Sequence, residues 1–194
     1  MRKLFSLGFL VLAFVLGYLL YQSIEEPIDF ANERSLRDDA VVEQLETIRS
    51  TQEMFRDITG QFAHNFDTLR QVLRNEDFLQ VQVIGDPDDP NFTGEITYDT
   101  TRIAAIDSVR ALGIDLDQLD VVPYTDGQAR FDIEADIIEY QSTEVPVVQV
   151  GVPRNKYMGK YADARFKRYD QRYEPNAAIK FGDLSKPSLA GNWE

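Results

Sequence analysis

Leu4 to Tyr21 forms an apolar run of 18 residues, broken only by small or tyrosine side chains and preceded by Met1, Arg2 and Lys3. At about 1.5 Å per helical residue the run reaches about 27 Å, close to the hydrocarbon thickness of a bilayer, and Tyr18 and Tyr21 fall where interfacial aromatics hold an outer end. The pattern predicts a transmembrane helix over residues 4–21, with residues 1–3 as a cytoplasmic stub kept inside by Arg2 and Lys3. The expectation is a single-pass inner-membrane protein, its N-terminus cytoplasmic and its C-terminal domain periplasmic. A cleavable signal peptide shares the charged start and the apolar stretch. Leu19-Leu20-Tyr21-Gln22-Ser23 lacks the small residues that a signal peptidase requires, so an uncleaved anchor is expected.

Charge and composition then exclude several roles for the part outside the bilayer. The 194 residues carry 20 basic and 33 acidic side chains, a formal charge of −13, with no cysteine and one histidine. Disulfide frameworks, thiol catalysis and cysteine-ligated metals are ruled out. A chain this acidic is repelled by phosphate backbones, so no nucleic-acid partner is expected. His64 alone cannot build a histidine-cluster metal site, and no Gly-x-Ser-x-Gly, phosphate loop or dinucleotide fingerprint accompanies it. Catalytic residues, metal ligands and cofactors are therefore expected to be none, and the chain reads as no enzyme.

After a linker over residues 22–31 containing Pro27, Val41, Leu45, Ile48, Gln52 and Phe55 recur at spacings of 4, 3, 4 and 3, which predicts an amphipathic helix from about Asn32 to Thr59 stopped by Gly60. Asn65 is placed to cap a second helix over Phe66 to Arg74. The period then falls to two. Phe78–Ile84, Gly94–Asp99, Val121–Tyr124, Ala129–Asp136, Ile137–Gln141 and Pro146–Val150 read as strands, with a helical insertion over Ile103–Leu112. Turn-length gaps between most of these strands favour an antiparallel sheet, so the fold class is α+β: an N-terminal transmembrane helix and a long amphipathic helix packed on a small antiparallel sheet. Residues 32–150 are expected as the α+β domain and 151–194 as a basic, aromatic-rich C-terminal segment. Gln22 to Val150 has nine basic against 28 acidic residues, a balance of −19, whereas Gly151 to Glu194 has nine against five, a balance of +4.

The stretch Ile48-Arg49-Ser50-Thr51-Gln52-Glu53-Met54-Phe55-Arg56-Asp57-Ile58-Thr59-Gly60-Gln61-Phe62, followed by Phe66-Asp67-Thr68-Leu69, resembles type IV pilin and pseudopilin-like proteins. That resemblance covers the N-terminal third and implies a membrane helix running into an amphipathic half, a Gly-aromatic turn, and a small sheet on the amphipathic face. Phe55 and Ile58 would then pack on the sheet, and Phe62, Phe66 and Leu69 would seal the core. Ala13 stands where the family carries a glutamate after its processing site, so processing and filament growth are not carried over. The segments Tyr21–Phe30 and Ser188–Glu194 also resemble single-span envelope proteins of this layout.

Asp86, Asp88 and Asp89 offer oxygen ligands, but two prolines and the lack of a following glutamate remove any EF-hand spacing, and a solvated loop is expected there. Asp115, Asp117 and Asp120 read as turn-capping groups. The candidate partner-binding residues are Arg154, Lys156, Tyr157, Lys160, Tyr161, Arg165, Lys167, Arg168, Tyr169, Arg172 and Trp193. Interleaved cations and aromatics of this kind can bind nucleic acid, which the overall acidity disfavours, acidic glycans or anionic headgroups, or clamp onto an acidic protein surface, and this chain supplies such a surface itself. The functional expectation is a structural or assembly component of an envelope complex (secretion, pilus-like or motility-type), acting through contacts with other envelope proteins or by self-association and held to the bilayer by residues 4–21. No small-molecule ligand is expected. The alternative is a periplasmic binding module for cell-wall glycan or a cation.

Overall fold

The computed structural model describes residues 2–84 and 97–194, with side chains described for 7–79 and 100–194. The Asp86–Asp89 loop lies outside the described residues, as does the first half, residues 94–96, of the strand expected over Gly94–Asp99. The architecture is α+β. Helix α1, Arg2–Thr59, runs for 58 residues, about 87 Å, and carries a head built from two further helices and two antiparallel sheets.

The head-bearing half of α1 follows its apolar spacing. Val41, Leu45, Ile48, Gln52 and Phe55 are all buried, so the stripe faces the core. Gln52 is polar yet fully buried because its side-chain amide pairs with a backbone: Nε2 donates to the Ala63 carbonyl at 3.1 Å and Oε1 accepts from the Ala63 N–H at 2.9 Å. That two-bond clamp fastens the chain after the turn back onto the helix. The turn needs Gly60, whose φ of +80° closes α1 with its N–H on the Arg56 carbonyl. Asn65 then caps α2, Phe66–Asn75, accepting from the Thr68 N–H at 2.7 Å, and Phe62, Phe66 and Leu69 close that end of the core.

Beyond α2, β1 (Asp77–Ile84) pairs antiparallel with β2 (Thr97–Ala104), and α3 (Ala105–Ala111) follows at once. A second sheet has the order β3-β4-β5, with β3 Asp132–Tyr140, β4 Thr143–Pro153 and β5 Ala178–Gly182, all antiparallel. The single expected sheet is thus two sheets. The strands expected over Ala129–Asp136 and Ile137–Gln141 are one, turning through Gln141 and Ser142 at positive φ, the conformation a two-residue hairpin loop demands. Val121–Tyr124 is no strand: Val121 makes one bridge to Arg130, and Tyr124 and Asp126 at φ 60° and 50° turn the chain away.

Two boundaries differ from expectation. Residues 22–31 are helical, with Pro27 inside α1, because long-range contacts hold both sides of the proline: Glu26 is bound by Arg168 and Tyr169, and Phe30 is buried among aromatic rings. An internal proline costs about 3 kcal/mol. Burying a phenylalanine contributes about 1.5–3 kcal/mol, and its ring pairs add about 0.5–1.5 kcal/mol each, enough to offset it. The boundary at 150/151 is also crossed. β4 runs through it, and β5, from the basic segment, completes the same sheet. Gly151 permits that pairing, since a Cβ there would sit 2.5 Å from Lys180 Cβ.

Candidate functional site

The basic, aromatic segment folds into a lobe against α1 just beyond its apolar N-terminal part. Three 3-10 turns, Arg154–Lys156, Gly159–Tyr161 and Ala164–Arg168, carry the chain across the helix before β5. At the centre Phe30 is 2% exposed. Its ring meets Tyr173 edge-on at 5.0 Å, stacks on Phe166 at 5.3 Å and meets Tyr161 edge-on at 5.6 Å, the offset and edge arrangements that aromatic quadrupoles favour. The Tyr173 hydroxyl, buried with its ring, donates to the Tyr161 carbonyl at 2.6 Å, so that buried phenol is satisfied.

A ring of charge surrounds that cluster. Asp38 on α1 accepts from the Tyr157 hydroxyl at 2.6 Å and pairs with Arg154 at 3.4 Å and Arg34 at 3.5 Å. Arg34 also pairs with Asp170, and Arg37 donates to the Tyr157 carbonyl at 2.5 Å while holding Glu33 at 2.8 Å. Nearer the N-terminus, Glu26 accepts from the Tyr169 hydroxyl at 2.6 Å and from Arg168 at 2.8 Å. The Tyr169 hydroxyl, ahead of the Arg165 and Arg168 cations, lowers the Glu26 carboxyl from its ordinary value. Asp170 is lowered too, chiefly by the Arg172 backbone N–H and then by Arg34. Burial, reinforced by Asp38, pushes the Tyr157 phenol far up, so it stays protonated and donates.

The candidate residues therefore divide. Tyr157 and Tyr161 are buried in the chain's own core, and Arg154 is held by Asp38. Arg168 and Tyr169 hold Glu26, and Lys167 pairs with Glu174 at 2.6 Å. Lys156, Lys160, Arg165 and Arg172 are exposed, with Lys160 over the Tyr161 ring at 4.7 Å and Arg165 over the Phe166 ring at 4.6 Å. Trp193 lies far along the chain from these turns, half-buried on the core. Its ring covers Gly191, and Glu194 pairs with Arg49 at 2.7 Å. The helix partners Glu26, Phe30, Arg34, Arg37 and Asp38 are missing from the candidate set. Their only sequence signal is an acidic and aromatic face next to a proline, which does not name its partner.

Elsewhere the acidic loops act within the fold. Asp115 accepts from the Asp117 N–H at 2.9 Å, Asp117 pairs with Arg74 at 2.6 Å, and buried Asp120 is bracketed by Arg70 and Arg130. His64 is exposed in the turn after Gly60. Among the described residues no group of three or more His, Cys, Asp or Glu side chains is placed to hold a metal ion. The apolar N-terminal stretch of α1 presents the opposite surface. It is long and apolar enough to cross a membrane, with an 18-residue window of mean hydropathy 2.0 that no other described part of the chain covers. Comparison of the chain with protein-family models, curated proteins and solved structures finds no match.

Proposed function

We propose that this chain is a single-pass inner-membrane protein whose α+β head stands in the periplasm and acts as a non-enzymatic structural or assembly component of an envelope complex. The observation that carries the reading is the continuity of α1. Its bare apolar part, with Phe9, Phe14 and Tyr18 between 65% and 73% exposed, passes without interruption into the stripe that anchors the head. Apolar surface of that extent finds a favourable solvent in lipid. Arg2 and Lys3 before it orient the N-terminus to the cytoplasm.

The layout, a membrane helix running into an amphipathic half that is closed by Gly60 and an aromatic turn and covered by small sheets, supports the pilin-like reading of the head. The described polar groups are largely engaged in holding the fold together: Asp38, Asp120, Glu26 and Asp170 are each tied to arginines or tyrosines of the same chain, which favours a scaffold over a reaction centre. The glycan-binding alternative, drawn on the basic segment, needs free aromatic platforms there, and Tyr157, Tyr161 and Tyr173 are buried.

Partner capture tests the role. Removing residues from Gly151 onward would delete β5 and part of β4, so the comparison uses surface substitutions at Lys156 and Arg172, with the tagged full chain cross-linked in membranes. Retention of envelope proteins or of a second copy by the wild-type chain supports an assembly role. A chain that cross-links to nothing, at native abundance, contradicts it.

A further inference from the structure

We propose that the cleft between α1 and the basic lobe binds the headgroup of a phospholipid carrying both a phosphate and a primary ammonium, that is, a phosphoethanolamine headgroup. The inference rests on the membrane-tethered reading and deepens it. The cleft is lined by Gln22, Glu25 and Asp29 on the helix, with Lys160 and Arg165 on the lobe facing them. Gln22 follows directly on Tyr21, the last residue of the apolar run, and α1 is helical throughout, so the height of the cleft is fixed by the helix. From Gln22 to Asp29 the helix rises about 10 Å, and the headgroup layer on each side of a bilayer is about 5–8 Å thick. The lobe's cations therefore stand at the level of lipid phosphates.

Apart from Glu26, which also lines the cleft, the charges here are of both signs and unpaired. Lys160, Arg165, Glu25 and Asp29 are all exposed, and none forms an ion pair among the described residues, whereas the neighbouring Glu26 is taken by Arg168. Glu25 accepts only a hydrogen bond from the Tyr21 hydroxyl, at 3.1 Å. The two cations are backed by the rings of Tyr161 and Phe166, which limits where their heads can go. A purely anionic headgroup would satisfy Lys160 and Arg165 but would be repelled by the two carboxylates. A choline headgroup satisfies the sign of both walls, but its quaternary nitrogen has no N–H to donate. A phosphoethanolamine group places its phosphate on Lys160 and Arg165 and donates three N–H bonds toward Glu25 and Asp29.

The test uses the full-length chain in detergent micelles containing equal amounts of phosphatidylethanolamine, phosphatidylglycerol and phosphatidylcholine, with native mass spectrometry reading which lipid is retained. Retention of phosphatidylethanolamine over the other two, by about fivefold for each carboxylate that takes an ammonium N–H bond, is expected. K160Q/R165Q loses that retention without gaining another lipid. E25Q/D29N, which keeps the cations and removes the ammonium partners, shifts preference to phosphatidylglycerol. All four positions are exposed, and an unchanged unfolding midpoint by Trp193 fluorescence confirms that both variants stay folded. Equal retention of the three lipids by the wild-type chain, or a preference unaltered in both variants, overturns the headgroup site. Alkaline extraction from liposomes separates this failure from that of the underlying reading: a chain that stays with the bilayer but shows no preference loses only the headgroup site, and one that washes off loses the tether as well.

Discussion

Phe30→Ala is the substitution that most directly probes how the lobe and the helix depend on one another. The side chain is 2% exposed and has ring neighbours at 5.0, 5.3, 5.6 and 6.2 Å. Truncating a buried phenylalanine to alanine costs about 3–5 kcal/mol, through lost transfer energy and the cavity left behind. That loss matches or exceeds the roughly 3 kcal/mol by which Pro27 opposes the helix, so α1 should lose its straight path at the proline as the lobe loosens. Denaturant unfolding of the full chain in micelles, followed by the fluorescence of its single tryptophan, measures the first effect. The chain has no native cysteine, so spin labels placed at Q22C and S35C read the second: about 20 Å apart on a continuous helix, and more broadly distributed once the helix breaks. P27A in the same background should recover part of the loss, with at least about 1 kcal/mol of coupling between the two sites. A loss under about 1 kcal/mol for F30A, or strict additivity with P27A, would refute the idea that the distant aromatic cluster holds the helix through its proline.

Three further outcomes follow from the packing. Q52L leaves both backbone groups of Ala63 buried without partners and should cost about 1–3 kcal/mol for each, read as a lowered denaturation midpoint with an unchanged slope. G182A forces a Cβ to within 2.0 Å of the Val148 carbonyl at a φ of +81°, so the β4–β5 pairing should be lost, seen as rapid amide exchange in β5 against protected α2. Glu26 and Asp170 have lowered folded-state values, so they stabilise above the ordinary carboxylate range, and that contribution disappears as pH falls through their folded values. Unfolding midpoints should therefore drop on acidification, with a shallower drop in E26Q; an identical acid profile in E26Q would contradict the assigned pair.

The elements legible in the sequence are those set by local spacing. The 4-3-4-3 stripe of Val41 to Phe55, the stop at Gly60, the Asn65 cap and the alternation entering β1 each depend on residues within a few positions of one another, and each lies where periodicity places it. The helical path through Pro27 was not legible, because its causes are Arg168, Tyr169 and Tyr173, some 140 residues away. The same holds for the lobe. Its cation and aromatic pattern marks the segment, but burial of Tyr157 and exposure of Lys156 one residue earlier follow from which side meets Asp38, and residue type alone does not carry that information. Val121–Tyr124 has strand-like composition, yet the chain there is fixed by Leu119 and Val122 in the core and by the arginines around Asp120.

The central claim is that the bare apolar stretch of α1, residues 4–21, lies in a bilayer with the head outside. A single cysteine at the exposed Ser35 tests this in intact spheroplasts with a membrane-impermeant maleimide, followed by alkaline extraction of the membranes. S35C labelled before lysis, on protein that remains in the membrane pellet, is the predicted result. Labelling only after lysis, or recovery of the labelled chain in the soluble fraction, would contradict it.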